Sequence, residues 1–219
     1  MITYLIHSGD RGEWVWPTWY KYFSKYWVNN QSISDLLFIC ETILPKFDTK
    51  INIINTGNVK YCDGLINALK EVNSKYVILT HEDYFIMGEI NYALLREIEV
   101  AMDCNDISLV KTCGWWSGFT TTSYPLTESD IVINNCNLWH YPNTRPYSIS
   151  HQMSIWNKNF LISTMQCGWS PWDHEIIGSR LMHTRNEKIY AYRSNDLPIP
   201  YVETCTEGHI RNGAEKYFT

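Results

Sequence analysis

Lys75-Tyr-Val-Ile-Leu-Thr-His-Glu-Asp-Tyr-Phe-Ile86 is the stretch whose reading decides the fold. Tyr76 to Thr80 is an unbroken apolar and β-branched run, the pattern of a strand covered on both faces. It ends abruptly at Glu82 and Asp83, and apolar residues resume at Tyr84. Open α/β sheets bind ligands at the carboxyl ends of their strands, where these carboxylates stand. Adjacent carboxylates repel each other unless a cation or hydrogen-bond donors neutralise them. That is the physical case for a divalent metal at Asp83. The plainer reading is that Glu82 and Asp83 open a solvated loop.

The flanking sequence builds a layered fold around this strand. Ile2–Ile6 reads as a first strand and His7-Ser-Gly-Asp-Arg-Gly12 as a polar turn. Glu13–Trp27 reads as a helix, with aromatics at near-helical spacing and Pro17 in its first turn. Strands are expected at Asp35–Glu41 and Lys50–Asn55, and a helix at Cys62–Val72. A second clear helix follows at Asn91–Met102, then a strand at Ile107–Thr112. The first half is thus β-α-β-β-α-β-α-β, an α/β/α sandwich with a mostly parallel central sheet. From Gly114 to Ser150 the chain is rich in Thr, Ser, Asn, Pro and aromatics, with strand-like pieces at Ile131–Ile133 and Asn137–Tyr141. This loop-rich half is expected to form the other wall of a cleft. Beyond it lie a strand at Ser150–Trp156, a short helix at Asn157–Met165 and a helix from Pro171 to about Met182. Late strands are expected at Lys188–Arg193 and Ile199–Val202. No linker separates the halves, so residues 1–219 read as a single domain.

Composition narrows the class. The 219 residues are 45% apolar and 19% charged, the balance of a globular chain with ample core. There is no run of 18 apolar residues for a membrane span, and the N-terminus lacks the basic region of a signal peptide. Seven cysteines without a CxxC spacing suit a thiol protein of a reducing compartment, hence a cytoplasmic location. A net charge of −5 without basic runs argues against a nucleic-acid partner. The chain has no GxxxxGK[ST], no GxSxG and no HExxH. Ten tryptophans are many, and Trp115, Trp116, Trp169 and Trp172 stand beside Gly, Ser or Pro. Indole faces in loops are platforms for flat ligands, including the C–H faces of sugars, although large aromatics also close a core economically.

Four clusters carry candidate chemistry. His81-Glu82-Asp83 supplies the short acidic site that a hard cation on a diphosphate requires. Asp173 and Glu175 fall in the first turn of the Pro171 helix. There the helix dipole favours carboxylates, and flanking Trp169 and Trp172 could desolvate one into a general base. Glu207-Gly-His-Ile-Arg-Asn-Gly213 sets His209 and Arg211 between glycines, in a segment able to close over phosphates and metal. Asp10 and Arg11 follow the first strand, as a base or ribose contact or as a turn ion pair.

In this order the features resemble those of small GT-A-type glycosyltransferases, the short forms found among polysaccharide-building enzymes of bacteria and large DNA viruses. The resemblance covers nearly the whole chain. It runs from the His-Ser-Gly-Asp-Arg turn through Asp63-Gly-Leu-Ile-Asn-Ala-Leu69 to His81-Glu-Asp-Tyr-Phe-Ile86, where the family carries its DxD metal motif. Ser150-His-Gln-Met-Ser-Ile-Trp156 is similar to the family's "QpaiW" segment, and Pro171-Trp-Asp-His-Glu175 to its acidic "pWefE" motif. The departure is His81, which replaces the first acid of DxD.

The resemblance implies a nucleotide-diphosphate-sugar donor, a UDP-sugar favoured, with Mn²⁺ or Mg²⁺ as cofactor. It implies transfer of a hexose or deoxyhexose to a glycan or glycoprotein acceptor with inversion. Residues 1–112 become the donor half and 113–219 the acceptor and catalytic half, in the cytoplasm of a bacterium or a virus-infected host cell. Asp83 and His209 are then metal ligands. Asp10, Arg11, Asp63, His81, Glu82 and Arg211 serve the donor. Asp173, or in second place Glu175, is the base, and Trp115, Trp116, Gln152, Trp169 and Trp172 hold the acceptor. A rival reading is a non-catalytic carbohydrate-binding module that uses the Trp-rich cleft. A third, a nucleotidyl- or phosphoryl-transfer enzyme, lacks a Lys- and Gly-rich phosphate loop.

Overall fold

The computed structural model describes residues 2–27, 33–47, 51–112, 125–194, 196–206 and 208–219. Strands β1 (Ile2–His7) and β4 (Tyr76–His81) lie side by side and parallel, in register from Ile2 opposite Tyr76 to His7 opposite His81. Successive side chains of a strand point to opposite faces, and here both faces are covered. Tyr4, Ile6 and Ile78 pack against Trp19 and Phe23 of α1 (Trp16–Trp27) and Leu94 and Ile98 of α3 (Tyr92–Asn105). Leu5, Val77 and Leu79 pack against Leu65 and Leu69 of α2 (Tyr61–Glu71) and Leu161 of α4 (Lys158–Thr164). Burial on both sides is why the run Tyr76–Thr80 shows no polar alternation.

Seven further strands complete the main sheet: β2 (Ile33–Cys40), β3 (Asn52–Asn55), β6 (Leu109–Lys111), β7 (Thr127–Ile133), β8 (Cys136–His140), β9 (Ser154–Asn157) and β10 (Ile189–Tyr192). The order is β3-β2-β1-β4-β9-β6-β10-β8-β7. Strands β8 and β9 run against the others, so the sheet is mostly parallel. The chain steps outward from β1 to β2 to β3, and α2 then carries it back to the far side of β1, where β4 lies. The boundary between β1 and β4 is therefore a topological switch point. A crevice opens outside the carboxyl ends of the two strands there.

Several elements differ from the sequence expectation for identifiable reasons. A 3₁₀ turn, Asp10–Val15, precedes α1, which begins at Trp16. Pro17 has no N–H and fits only the first helical turn, so the α-helix starts there. The two expected pieces at 131–141 form a full hairpin, β7–β8, that turns through Asn134 and Asn135, both at positive φ (47° and 58°). Asn tolerates that region better than most residues. The strand expected at Ser150–Trp156 begins only at Ser154 and inserts antiparallel between β4 and β6. Tyr84–Ile86 (β5) leaves the main sheet and pairs antiparallel with Tyr201–Glu203 (β11), the strand expected at Ile199–Val202. A small hairpin, β12 (Cys205–Thr206) and β13 (His209–Ile210), follows through Gly208 at φ 82°. Among the described residues no helix is long and apolar enough to cross a membrane.

Candidate functional site

The switch point places His7 and His81 next to each other, with ring centroids 6.2 Å apart, and the chain turns at Glu82 and Asp83 directly beyond. A cleft of about 770 Å³ opens there. One wall is formed by Arg11, Gly12, His81, Glu82 and Asp83. The C-terminal segment adds Glu203, Cys205, Thr206 and Gly208. Lys111, Ser150, His151, Gln152, Trp172 and Glu175 are also in the lining. His81 and Lys111 end β4 and β6, and Gln152 precedes the reversed β9, so the sheet delivers all three to one edge.

The lining is crowded with carboxylates. Burial raises the Glu82 carboxyl to about 7. Asp83 is raised well above the usual range by burial, then by its neighbours Glu82 and Glu203. Burial also raises Glu203, although Arg211 pairs with it. Asp83 Oδ1 is buried without a hydrogen-bond partner, while the Asp83 carbonyl accepts from both the N–H and the hydroxyl of Thr204 at 2.8 Å. A bare, buried carboxylate oxygen beside two more acids is a site that a hard cation fits. Among the described residues no three His, Cys, Asp or Glu side chains are arranged to hold a metal by themselves.

Glu175 lies in the first turns of α5 (Pro171–Met182) and accepts a 2.6 Å hydrogen bond from the backbone N–H of His151. Burial raises its carboxyl above the usual range, the direction a general base needs. Asp173 behaves otherwise. It closes a capping box, its Oδ2 accepting from Ser170 N at 2.9 Å and Ser170 Oγ at 2.7 Å, and the Ser170 hydroxyl lowers its carboxyl. The structure thus places the favoured base of the sequence reading on its own helix end and the second-choice acid in the cleft. The spacing Ser170-x-x-Asp173 is itself a capping-box pattern and is the signal that separates the two.

The remaining sequence-predicted residues divide similarly. Arg11, His81, Glu82, Gln152 and Trp172 line the cleft, and Trp172 is 56% exposed. Asp10 does not: its carboxylate accepts from Thr42 N, Thr42 Oγ1 and Ile43 N and so ties the loop after β2 to the first turn. Asp63 accepts from the N–H of Gly168, which bridges α2 to the turn before α5. Trp169 is half-buried outside the cleft, its carbonyl accepting from Cys62 N. His209 is exposed on β13, and Arg211, which pairs with Glu203, also acts by its charge on Asp83. Trp115 and Trp116, with Glu207 of the C-terminal motif, lie outside the described residues.

Sequence reading missed Glu203, Lys111, Trp14 and the histidines 151 and 174. Lys111 is buried, donating to Tyr147 O (3.0 Å) and Ser150 Oγ (2.7 Å). Trp14 lines the cleft and stacks on Phe218 with ring centroids 5.5 Å apart. The two histidines form a buried chain: Tyr61 Oη to His151 Nδ1 (2.7 Å), His151 Nε2 to His174 Nδ1 (2.7 Å), His174 Nε2 to Thr164 Oγ1 (2.9 Å). No local spacing advertises these residues. Tertiary contact alone brings them together.

No protein-family model matches the sequence, and no curated protein matches it. Solved structures do share the fold. S. aureus TarS 1–349 in complex with UDP-GlcNAc aligns with a TM-score of 0.56 at 11% identity, over 97% of this chain and 60% of that one. The same protein in complex with UDP aligns with a TM-score of 0.56 at 12% identity, over 92% and 60%. A cytidylyltransferase from Leptospira borgpetersenii serovar Hardjo-bovis aligns with a TM-score of 0.50 at 10% identity, over 93% and 81%. The present chain spans 60% of the TarS 1–349 chain, and at these identities the likeness establishes the α/β fold alone.

Proposed function

We propose that this chain is a metal-dependent, inverting glycosyltransferase that moves a hexose or deoxyhexose from a nucleotide-diphosphate sugar, a UDP-sugar favoured, to a hydroxyl of a glycan or glycoprotein. One observation carries the reading. The same cleft is lined by Asp83, with its buried, unpartnered oxygen, and by Glu175, whose carboxyl burial raises above the usual range. Charge developing on the leaving diphosphate is offset at the first and the acceptor hydroxyl is deprotonated at the second. TarS, of the same fold, is solved with UDP-GlcNAc and with UDP, which supports a nucleotide-sugar donor.

Asp83, through its unpartnered Oδ1, would hold Mn²⁺ or Mg²⁺, with the diphosphate supplying further oxygens. Bound there, the cation supplies positive charge against the diphosphate as it leaves. The chain's own residues do the rest. Glu175 takes the proton from the acceptor hydroxyl, whose oxygen forms a new bond to the anomeric carbon. The bond from that carbon to the diphosphate oxygen breaks on the opposite side, so the configuration inverts. Arg11 lies on the donor wall, and Arg211, beside Glu203, is within the same charge cluster. Trp172 and Trp14 offer flat faces to sugar rings, and Gln152 offers an amide to their hydroxyls.

A screen of UDP-, GDP- and CDP-sugars with Mn²⁺, read as nucleoside-diphosphate release, tests this function. Asp83→Ala and Glu175→Gln should each abolish most of the release. Near-parental rates in both variants would sink the assignment. The likeness to a cytidylyltransferase favours one second reading, nucleotidyl transfer. Pyrophosphate release from CTP, with no release from nucleotide sugars, would select it.

A further inference from the structure

The residues that reach the cleft include one whose side chain is held at both ends. His151 presents its backbone N–H to Glu175 Oε1, and its ring is bonded through both nitrogens, to Tyr61 and to His174. His174 precedes Glu175 on α5 and is fully buried at 0% exposure. The two segments that meet at Glu175 are therefore joined twice, once by the backbone-to-carboxylate bond and once ring to ring. Tyr61 opens α2 in the donor half, and its ring lies 4.3 Å from that of His7. His81, next to the acidic pair, stacks on His151 with centroids 5.5 Å apart and planes 12° apart.

Proton positions in the chain follow from its far end. Thr164 Oγ1 donates to Leu161 O at 2.7 Å, so it accepts from His174 Nε2–H. A neutral His174 then accepts at Nδ1 from His151 Nε2–H, and a neutral His151 accepts at Nδ1 from the Tyr61 hydroxyl. Every donor points the same way, from Tyr61 to the α4 carbonyl. Burial holds both rings in the neutral form that this arrangement requires. A second proton on His174 would set N–H against the His151 N–H, and one on His151 would reverse its bond with the Tyr61 hydroxyl.

We infer that His151 and His174, anchored by Tyr61 and Thr164, are positioning residues. Their hydrogen-bonded chain spans the donor and acceptor halves and fixes the direction of the Glu175 carboxylate. The inference rests on the proposed role of Glu175 but is tested separately from it. A carboxylate held by a donor whose own ring is fixed at both nitrogens loses little orientation before reacting, and small misplacements of a reacting group lower rates by about a hundredfold.

The test begins on the free protein, without substrate. Long-range ¹H–¹⁵N correlation spectra of histidine-labelled protein should show both rings neutral, each with its proton on Nε2. Tyr61→Phe removes one donor with little change in shape. His174→Leu removes the ring link. Each should lower hydrogen-exchange protection of the His151 amide about tenfold while β1 and β4 amides hold theirs. With UDP-GlcNAc and Mn²⁺ as probe, His174→Leu should lower kcat for UDP release at an unchanged KM, and His174→Asn, whose Oδ1 replaces Nδ1 as acceptor, should restore most of it. In a Glu175→Gln background His174→Leu should add nothing. An Nδ1–H tautomer on His151, or unchanged protection of its amide in both variants, overturns the inference. Full turnover by Glu175→Gln with the tautomers and protection as expected overturns the base assignment and leaves the positioning chain standing.

Discussion

Thr204 donates both its backbone N–H and its hydroxyl to the carbonyl oxygen of Asp83, each over 2.8 Å. With β5 paired to β11, these bonds fasten the C-terminal segment to the acidic end of β4 and bring Glu203 beside Asp83. Thr204 is fully buried, so its hydroxyl has no water to fall back on. Thr204→Val keeps the shape and removes one donor. It is expected to lower unfolding free energy by about 1 kcal/mol in urea titrations and to weaken UDP–Mn²⁺ binding by calorimetry. Parental affinity at lowered stability would separate the segment's structural role from any role in holding the site.

Gly12 gives room to the acidic pair. A Cβ there would run into the Glu82 carboxylate, standing 2.7 Å from its carboxyl carbon and 2.8 Å from Ser8 Oγ. Gly12→Ala is expected to cost about 1–3 kcal/mol of stability by overpacking. In a Glu82→Ala background the same change should cost distinctly less, because the main obstacle is gone. Equal losses in both backgrounds would show that Glu82 does not set the limit.

The buried imidazoles make the fold acid-sensitive. Burial lowers His174 to about 4, against about 6.5 in an unfolded chain. Between those values the unfolded state binds more protons, so stability is full above pH 6.5 and falls as pH drops towards 4. For His174 alone the loss is on the order of 3 kcal/mol. His7, lowered to about 3 by burial and by His81, adds in the same direction. The raised carboxyls of Glu82, Asp83, Glu175 and Glu203 act in the opposite direction, so the readout is the difference between variants. Between pH 7.5 and 4.5 the urea midpoint of the parent should fall relative to that of His174→Asn. Parallel profiles in the two proteins would contradict neutral burial of His174.

Glu175 should govern the acidic limb of activity. A base works only when unprotonated, and burial has raised this carboxyl. The transfer rate is thus expected to rise with pH through the Glu175 titration, and Glu175→Gln to lower kcat by about 10²–10⁴-fold and to erase the rise. Retention of the same pH limb in the variant would assign the titration to another group.

Asp173→Asn tests the opposite assignment. Its carboxylate is engaged by Ser170 at the start of α5. The variant should melt at a lower temperature and keep a transfer rate near the parent's. A collapse of kcat with an unchanged melting point would return Asp173 to the chemistry.

Much of the frame was legible in order and chemistry along the chain. An apolar run without alternation declares a strand buried on both faces, and Tyr76–Leu79 is buried throughout. Pro171 after Ser170 declares a helix start, and α5 begins there. The acidic strand end was legible too, since Glu82 and Asp83 are adjacent in sequence and both line the cleft. The choice between Asp173 and Glu175 was legible only in part: the spacing Ser170-x-x-Asp173 marks Asp173 as a helix-end residue, but nothing in the sequence turns Glu175 towards the cleft. Residues two apart on a helix point roughly 200° away from each other, so both cannot face one cleft. Which of the two does is set by the rotation of α5 against its neighbours.

The sequence by itself determined the layers, the mostly parallel strand order of the first half and the acid pair at the end of β4. These follow from local period, turn chemistry and the rule that sheets bind ligands at their carboxyl edge. Only the tertiary structure decided that β9 inserts beside β4, that Glu203 joins Asp83, and that Tyr61, His151, His174 and Glu175 meet. Those contacts join residues far apart in the chain. Their energies come from burial and from hydrogen bonds that exist only once the distant segments have packed.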